Sequence, residues 1–185
     1  MRAPGRSLPS TPSSGLCSDR QVCIPSDVEE LLIDVVADGF VLYCCGDRAA
    51  PSALVASYEW ECCLDLVTIR DFDRVTAARV PKQYGVDLFA PQVVVWAYEG
   101  PPQRALRALL DLVHPTHPDA PASPFPAPPR LHIPRAQQRP MTIRLPSPDR
   151  AHARATRLTI TMASRDSASV IKDAAGLPES ALDRT

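Results

Sequence analysis

The fold is decided by residues 53–80, which read ALVASYEWECCLDLVTIRDFDRVTAARV. Residues 53–70 are rich in strand formers, and their side chains alternate between two faces if they run as one extended strand. A bend near Trp60 would split this segment into two strands without destroying that pattern. The triplet at 71–73, Asp-Phe-Asp, is typical of a tight turn. Residues 74–80 are therefore predicted to return as the partner strand of a hairpin.

The segment before this hairpin predicts a helix and then a short strand. Ser26 and Glu29 have the spacing of a capping box, in which the two side chains satisfy free backbone N–H groups of the first turn. Gly39 is predicted to end the helix as a left-handed cap, and residues 40–45 are predicted to form a strand. The apolar residues that share one face of this helix are Val28, Leu31, Leu32, Val35 and Val36.

The segment after the hairpin predicts one more strand and a second helix. Residues 92–98 are apolar on both faces, which is typical of a central strand. Pro101 and Pro102 suit the start of a helix, and His114 is predicted to end it. The predicted fold is therefore α+β: a small, mainly antiparallel sheet of four or five strands flanked by two helices, with a long Pro/Arg-rich C-terminal tail.

Composition divides the chain into four parts. Residues 1–23 are predicted to be disordered because they are polar and show no periodicity, and residues 24–114 form the α+β domain. Eleven prolines within residues 115–150 exclude a continuous helix or a central strand there, so this part is predicted to be an extended arm. Residues 151–185 are predicted to be a loosely structured basic tail, with a weak helix around 151–157.

The small net charge of the chain conceals two parts of opposite sign. Residues 24–114 carry 14 acidic and 7 basic side chains, a net charge of −7, whereas residues 130–165 carry 8 arginines against one acidic residue, a net charge of +7. This opposition predicts that the arm binds either another protein or the chain's own acidic domain. Arginine outnumbers lysine 18 to 2, which favours a bacterial genome of high GC content over selection for phosphate binding.

The sequence indicates a cytoplasmic location and no membrane partner. It contains no run of about 18 apolar residues that would span a bilayer, and its N-terminus lacks the apolar middle region of a signal peptide. In the cytoplasm thiols stay mostly reduced.

The six cysteines are predicted to pack as small apolar side chains. Adjacent pairs lack the spacing of zinc ligands, because neighbours on a strand point to opposite faces. An approach of Cys44 to Cys62 across two strands stays open as an alternative. The cysteines are Cys17, Cys23, Cys44, Cys45, Cys62 and Cys63.

Three carboxylates are candidates for acid–base chemistry or metal binding. Glu59, Glu61 and Asp65 would share one face of a single strand, with Glu59 and Glu61 about 7 Å apart. Such carboxylates can transfer protons or hold a divalent ion. They can equally solvate the outer face of an antiparallel sheet.

His114 and His117, with Asp119, are a second and weaker candidate for a metal site. The neighbouring prolines predict an extended chain that separates the two imidazoles, and a histidine at a helix C-terminus is also favoured by the helix dipole. The sequence holds no glycine-rich phosphate loop and no Gly-x-Ser-x-Gly elbow. We therefore predict no cofactor, and an enzyme has no positive support.

The sequence favours a non-enzymatic protein-interaction or regulatory module. Prolines recur at every third residue from 115 to 124, so a polyproline II helix would line four rings along one edge, a shape that aromatic grooves bind. A nucleic-acid-associated protein that uses the basic arm is the first alternative. A small enzyme or metal-binding protein centred on the three carboxylates is the second. The candidate interaction residues are Pro115, Pro118, Pro121, Pro124, Arg135, Arg139 and Arg144.

Overall fold

The structure is a computed structural model that describes residues 26–47, 51–71, 73–85, 87–138 and 141–174. The predicted disordered segment 1–23 lies outside the described residues. Within them the chain forms α1 (Ser26–Ala37), β1 (Val41–Gly46), β2 (Pro51–Glu59), β3 (Cys63–Asp71), β4 (Arg74–Pro81), β5 (Val93–Val94), β6 (Trp96–Gly100), α2 (Pro102–Leu110), β7 (Phe125–Pro126), β8 (Met141–Arg144) and α3 (Ala153–Ala174). Short 3₁₀ turns lie at Lys82–Tyr84, Pro129–Leu131 and Arg135–Gln137.

The first helix forms as its periodicity predicts. Its apolar face is buried through Val28, Leu31, Leu32 and Val35. Gly39 follows the helix with a φ of +100°, and a Cβ at this position would collide with the carbonyl oxygen of Arg150. Glycine is therefore required here both for the backbone conformation and for the close approach of the C-terminal segment.

The central stretch forms an antiparallel meander. The predicted hairpin at 71–73 is confirmed, because Asp71 pairs with Arg74 at the end of β3 and β4. The alternative that segment 53–70 is split into two strands near Trp60 is confirmed, since the chain reverses after Glu59 and the amide of Trp60 donates to the carbonyl of Cys63 at 2.9 Å.

Residues 92–98 do not form the predicted central strand. β5 pairs with β7 in a separate two-stranded sheet, and β6 is an edge strand that pairs only with β4 among the described strands. Residues 92–98 are therefore apolar in two different environments. Val94 is buried in a core cluster, while residues 96–98 are half-buried in the edge strand. α2 is also shorter than predicted, since it ends at Leu110 and not at His114.

The main sheet has the strand order β6-β4-β3-β2-β1-β8. Five of its strands come from residues 24–114, and β8 comes from the arm and adds a sixth strand beside β1. The expected α+β fold with a mainly antiparallel sheet and flanking helices is confirmed.

The sheet is covered on both faces. The helix face packs against α1, α2 and the start of α3, through residues such as Val67, Ala77 and Leu158. The arm face packs against residues that follow β4 and residues of the arm, and Leu131 and Ile133 are fully buried there. The amide of Ile133 also donates to the carbonyl of Phe89 at 2.7 Å.

The C-terminal part packs more closely than its composition suggested. Residues 115–120 form two successive turns, since the amide of His117 donates to the carbonyl of His114 and the amide of Ala120 to that of His117. A polyproline II helix has no such internal hydrogen bonds, so the prediction of a continuous proline edge is wrong at its start. α3 extends to Ala174, well beyond the weak helix predicted around 151–157. The domain boundary at residue 114 stays a prediction. Described residues on both sides of this boundary pack together on both faces of the sheet.

Candidate functional site

The three candidate carboxylates do not converge. Glu59 is exposed at the end of β2 and pairs with the Nζ of Lys82 at 2.8 Å, and Glu61 is exposed in the turn that follows. Asp65 is fully buried in β3. The predicted shared face is wrong because it assumed one strand, whereas the reversal at 60–62 places the three side chains on different elements.

The carboxylate of Asp65 accepts four hydrogen bonds. Arg79 donates to it from Nε at 2.6 Å and from Nη2 at 2.9 Å, which makes a bidentate pair across the β3–β4 ladder. The indole Nε1 of Trp60 donates at 2.9 Å and the Nε of Arg154 at 3.0 Å. A carboxylate offers about four lone-pair positions. Three of these donors converge on Oδ2 and one reaches Oδ1, so both oxygens of Asp65 are engaged by donors inside the core.

A second buried carboxylate, Asp38, follows the C-terminal end of α1. A negative charge is disfavoured there by the helix dipole, and two arginines of α3 compensate it. Arg154 donates from Nη1 to Asp38 Oδ2 at 2.9 Å, and Arg157 donates from Nε and Nη2 to both oxygens at 2.9 and 2.7 Å. The hydrogen bond to Asp38 raises the pKa of Arg157.

Arg154 is fully buried in the arginine socket, which we define as Asp38, Phe40, Trp60, Asp65 and the carbonyl oxygens of Leu109 and Leu110. The guanidinium donates to those carbonyls at 2.7 and 3.3 Å. Its Cζ lies 5.4 Å from the ring centre of Phe40 and 5.9 Å from that of Trp60, within the range of cation–π attraction. The acceptors, the negative charges and the aromatic rings of the socket thus all suit a guanidinium group.

This network was not predicted from the sequence, although three of its members carry a signal there. Asp65 and Arg79 lie at mirrored distances from the predicted turn at 71–73, so the hairpin register pairs them on one face. Asp38 is an acid at a helix end that disfavours acids. Arg154 had no comparable signal, because nothing in the sequence relates residue 154 to residues 38 and 65.

The two candidate histidines line one pocket of about 250 Å³, beside Asp111, Arg157 and Thr161. The Nδ1 of His114 accepts from the amide of Thr116 at 3.2 Å, and the Nδ1 of His117 accepts from the amide of Asp119 at 3.0 Å. An imidazole whose Nδ1 accepts an amide proton carries its own proton on Nε2 when neutral. Neither ring then offers a free lone pair to a metal ion.

His114 also contacts the network through Trp60, whose ring centre lies 4.8 Å away in an edge-on arrangement. Burial, and after it the charges of Arg79 and Arg154, lower the pKa of His114. In the part of the chain that the structure describes, no group of three or more His, Cys, Asp or Glu side chains is arranged to hold a metal ion.

Four cysteines fall within the described residues, and all four are free thiols. Cys44 lies in β1 opposite Leu54, while Cys62 lies in the turn after Glu59, at the other end of β2. Five residues of extended strand span about 17 Å, so the alternative of a Cys44–Cys62 approach is wrong. Burial raises the pKa of Cys44, Cys45 and Cys63, which keeps these thiols protonated. Cys17 and Cys23 lie outside the described residues.

The candidate interaction residues are not gathered on one surface. Pro118 and Pro124 are exposed, while Pro115 and Pro121 are half-buried. Arg135 is exposed in a 3₁₀ turn. Arg139 and the side chain of Arg144 lie outside what the structure describes.

Two further concavities open on the surface. One, of about 530 Å³, is lined by residues that include Tyr43, Ser57, Leu88 and the Glu59–Lys82 pair. Its volume is typical of a small-molecule site, but the charged groups at its edge already neutralise each other.

The other concavity is a groove of about 370 Å³ with mixed polar and apolar lining, between α1 and the segment before α3. It contains two exposed large apolar side chains, Ile33 at 57% and Leu145 at 69% exposure. We call it the α1 groove, and it is lined by Ile33, Val36, Ala37, Leu145, Pro146, Ser147 and Arg150.

Comparison with known proteins adds no functional information: no family model, no curated protein and no solved structure matches this chain. Among the described residues, none of the helices has both the length and the apolar character needed to cross a bilayer. Function must therefore be argued from the contacts of the chain itself.

Proposed function

We propose that this protein is a non-enzymatic interaction module that binds a segment of another protein in the α1 groove. The observation that carries the proposal is the exposure of Ile33 and Leu145 within one groove. Apolar surface that gathers in a concavity with a polar rim is typical of a protein-binding site. An isolated exposed leucine or isoleucine would carry no such implication.

The charges around the groove specify the chemistry of the partner. Glu29, Glu30 and Asp34 are exposed on α1, and Glu29 and Glu30 lie beside Ile33 on the helix surface, four and three residues before it. Arg150 is the basic residue that lines the groove. A complementary partner is therefore a basic amphipathic segment that inserts an apolar side chain and places lysine or arginine against α1.

The basic arm supports this proposal better than it supports nucleic-acid binding. Arg154 and Arg157 are engaged by Asp38 and Asp65, and Arg150 donates to the carbonyl of Ala37 at 3.3 Å. These arginines would have to leave the domain before they could neutralise phosphates. The carboxylate alternative is weakened as well, because Asp65 is fully buried and already accepts four hydrogen bonds.

A peptide selection on the full-length protein tests the proposal. We expect a random peptide library to yield basic amphipathic binders, and Ile33→Asp to weaken the selected peptides at least about tenfold, since binding would then bury the introduced carboxylate against the inserted apolar side chain. Tyr84→Asp is the matched control, because Tyr84 is similarly exposed at 52% and lies outside the groove. Binding measured by fluorescence anisotropy should be unchanged in the control.

Two results would overturn the proposal. One is a set of selected peptides whose affinity is the same for the wild type and for Ile33→Asp. The other is a dimer in sedimentation experiments that Ile33→Asp dissociates, which would assign the groove to a second copy of the chain.

A further inference from the structure

The arginine socket accepts four hydrogen bonds from the side chain that it holds. Arg154 has five guanidinium N–H groups. Nε donates to Asp65, Nη1 to Asp38 and the carbonyl of Leu110, and Nη2 to the carbonyl of Leu109, with Asp65 Oδ2 a further 3.0 Å from Nη2. A lysine ammonium has three donors and no planar fork, so it would leave acceptors of the socket unpaired.

The occupant comes from a part of the chain that is distant from the socket in the sequence. Arg154 lies in the first turn of α3, 89 residues after Asp65 and 116 after Asp38. The chain that leads to it is exposed at most positions from 145 to 150. Beyond Leu158, the side chains of Thr159, Ile160 and Thr161 are exposed again. Among its described side chains, which end at Ser164, α3 contacts the domain through its first two turns and the half-buried Met162.

The socket can lose Arg154 without leaving a buried charge unpaired. Asp65 would keep both hydrogen bonds from Arg79 and the one from Trp60. Asp38 stands at the end of α1, where withdrawal of α3 would expose it to water. The emptied socket would hold two carboxylates against one arginine, a net negative charge that attracts a cation. This differs from an ordinary buried ion pair, in which removal of one partner strands the other.

The geometry points to a binding site for an arginine side chain, with Arg154 as its intramolecular occupant and α3 as a releasable strap. When α3 withdraws, the socket takes the guanidinium of an arginine from another protein segment. The socket does not depend on the α1 groove for its chemistry, and the two are tested with different variants. Failure of one therefore leaves the other standing.

Chemical rescue of the full-length variant Arg154→Ala tests the site directly. The truncation should lower the Tm and leave a cavity of guanidinium shape. Ethylguanidinium in the millimolar range should then raise the Tm of Arg154→Ala by about 3 °C, because a ligand that binds only the folded state stabilises it. Ethylammonium at the same concentration should not, since it lacks the planar set of donors.

Leu158→Ala is the matched control variant. Leu158 is buried on the same helix and should also destabilise the protein when truncated, but its loss leaves the socket filled. Ethylguanidinium should leave the Tm of the wild type and of Leu158→Ala unchanged or slightly lower. Equal rescue by ethylammonium, equal rescue of Leu158→Ala, or no rescue of Arg154→Ala would each overturn the assignment. If Arg154→Ala does not fold in buffer, recovery of its folded circular dichroism spectrum replaces the Tm as the readout, with the same outcomes.

Hydrogen exchange of the unmodified protein tests the strap. The amide of Arg154 donates to the carbonyl of Asp38 at 3.0 Å, so it exchanges when the strap opens. If α3 releases by itself, amides at 154–158 should exchange at least about tenfold faster than those of β3, because local opening costs less than global unfolding. Equal protection of the two segments would show that α3 leaves only when the whole domain unfolds, and would overturn the releasable strap.

Discussion

Chain that follows residue 114 helps to cover both faces of the sheet, but it does so by opposite means. On the helix face, Arg154 brings a buried charge to Asp38 and Asp65. On the arm face, Leu131 and Ile133 bury apolar side chains without a charged partner. Apolar burial is non-directional and tolerates changes of shape, whereas a buried ion pair demands its partner at one position. The arm face therefore supplies bulk stability, and the helix face fixes how α3 is placed.

The largest loss in the free energy of unfolding should follow from Asp65→Asn, which removes the charge at the centre of the ion network on the helix face. The amide cannot neutralise Arg79 and Arg154, and its N–H₂ group faces their donors. Removal of one partner from a buried ion network costs about 3–5 kcal/mol. Urea unfolding followed by circular dichroism measures the loss, and the exposed Glu61→Gln should stay within about 0.5 kcal/mol of the wild type. A loss no larger than that of Glu61→Gln would show that the network contributes nothing.

Leu131→Ala tests the apolar side. Leu131 is fully buried on the arm face, and truncation of a buried leucine costs about 2–5 kcal/mol, depending on how far the cavity collapses. Arg135→Ala is the control, because Arg135 is exposed in the same arm. The loss for Leu131→Ala should not change with added salt. A free energy of unfolding equal to that of the control would mean that residues 127–133 do not cover the sheet in solution.

His114 should make a smaller contribution to the free energy of unfolding, one that depends on pH and comes from the helix face. Its pKa is lowered in the folded protein by burial and by Arg79 and Arg154, so the unfolded chain binds the proton more readily. Stability is therefore fully present above the ordinary imidazole pKa of about 6.5 and is lost as the pH falls towards the folded pKa. His114→Asn should lose less stability than the wild type between about pH 7 and about pH 5. The same dependence in His114→Asn, with exposed His152→Asn as control, would assign the effect to another group.

The local elements were accessible from the sequence because their causes are local. The capping box and apolar spacing of α1 predicted its span, and the triplet at 71–73 predicted the β3–β4 hairpin. The second reversal, at 60–62, carries no glycine, proline or asparagine, so the alternation simply continued through it. A bend near Trp60 was one of the two alternatives, and the other, a single continuous strand, produced the incorrect shared face of Glu59, Glu61 and Asp65.

The socket could not be predicted for a different reason. Its members come from the segment after α1, from β3 and the turn before it, and from the end of α2, and its occupant comes from α3. The socket therefore exists only after the sheet has formed. Eight arginines in residues 130–165 looked interchangeable in the sequence. Burial distinguishes them, since Arg154 is enclosed while Arg135 is exposed. The charge opposition between arm and domain indicated attraction, but it could not specify which arginine enters.

The smallest effect should come from Arg74→Ala, which repeats the Asp65 experiment at the surface. Arg74 Nε lies 2.9 Å from Glu99 Oε1, close to the distances around Asp65, yet its side chain is 53% exposed. Water screens the pair, and Glu99 keeps Arg130 at 3.7 Å, so the expected loss is only about 0.2–1 kcal/mol. Added salt should reduce that loss further while leaving the cost of Asp65→Asn largely intact. Similar costs for the two variants at low salt would contradict the view that burial, rather than the ion-pair distance, decides what an arginine contributes to this fold.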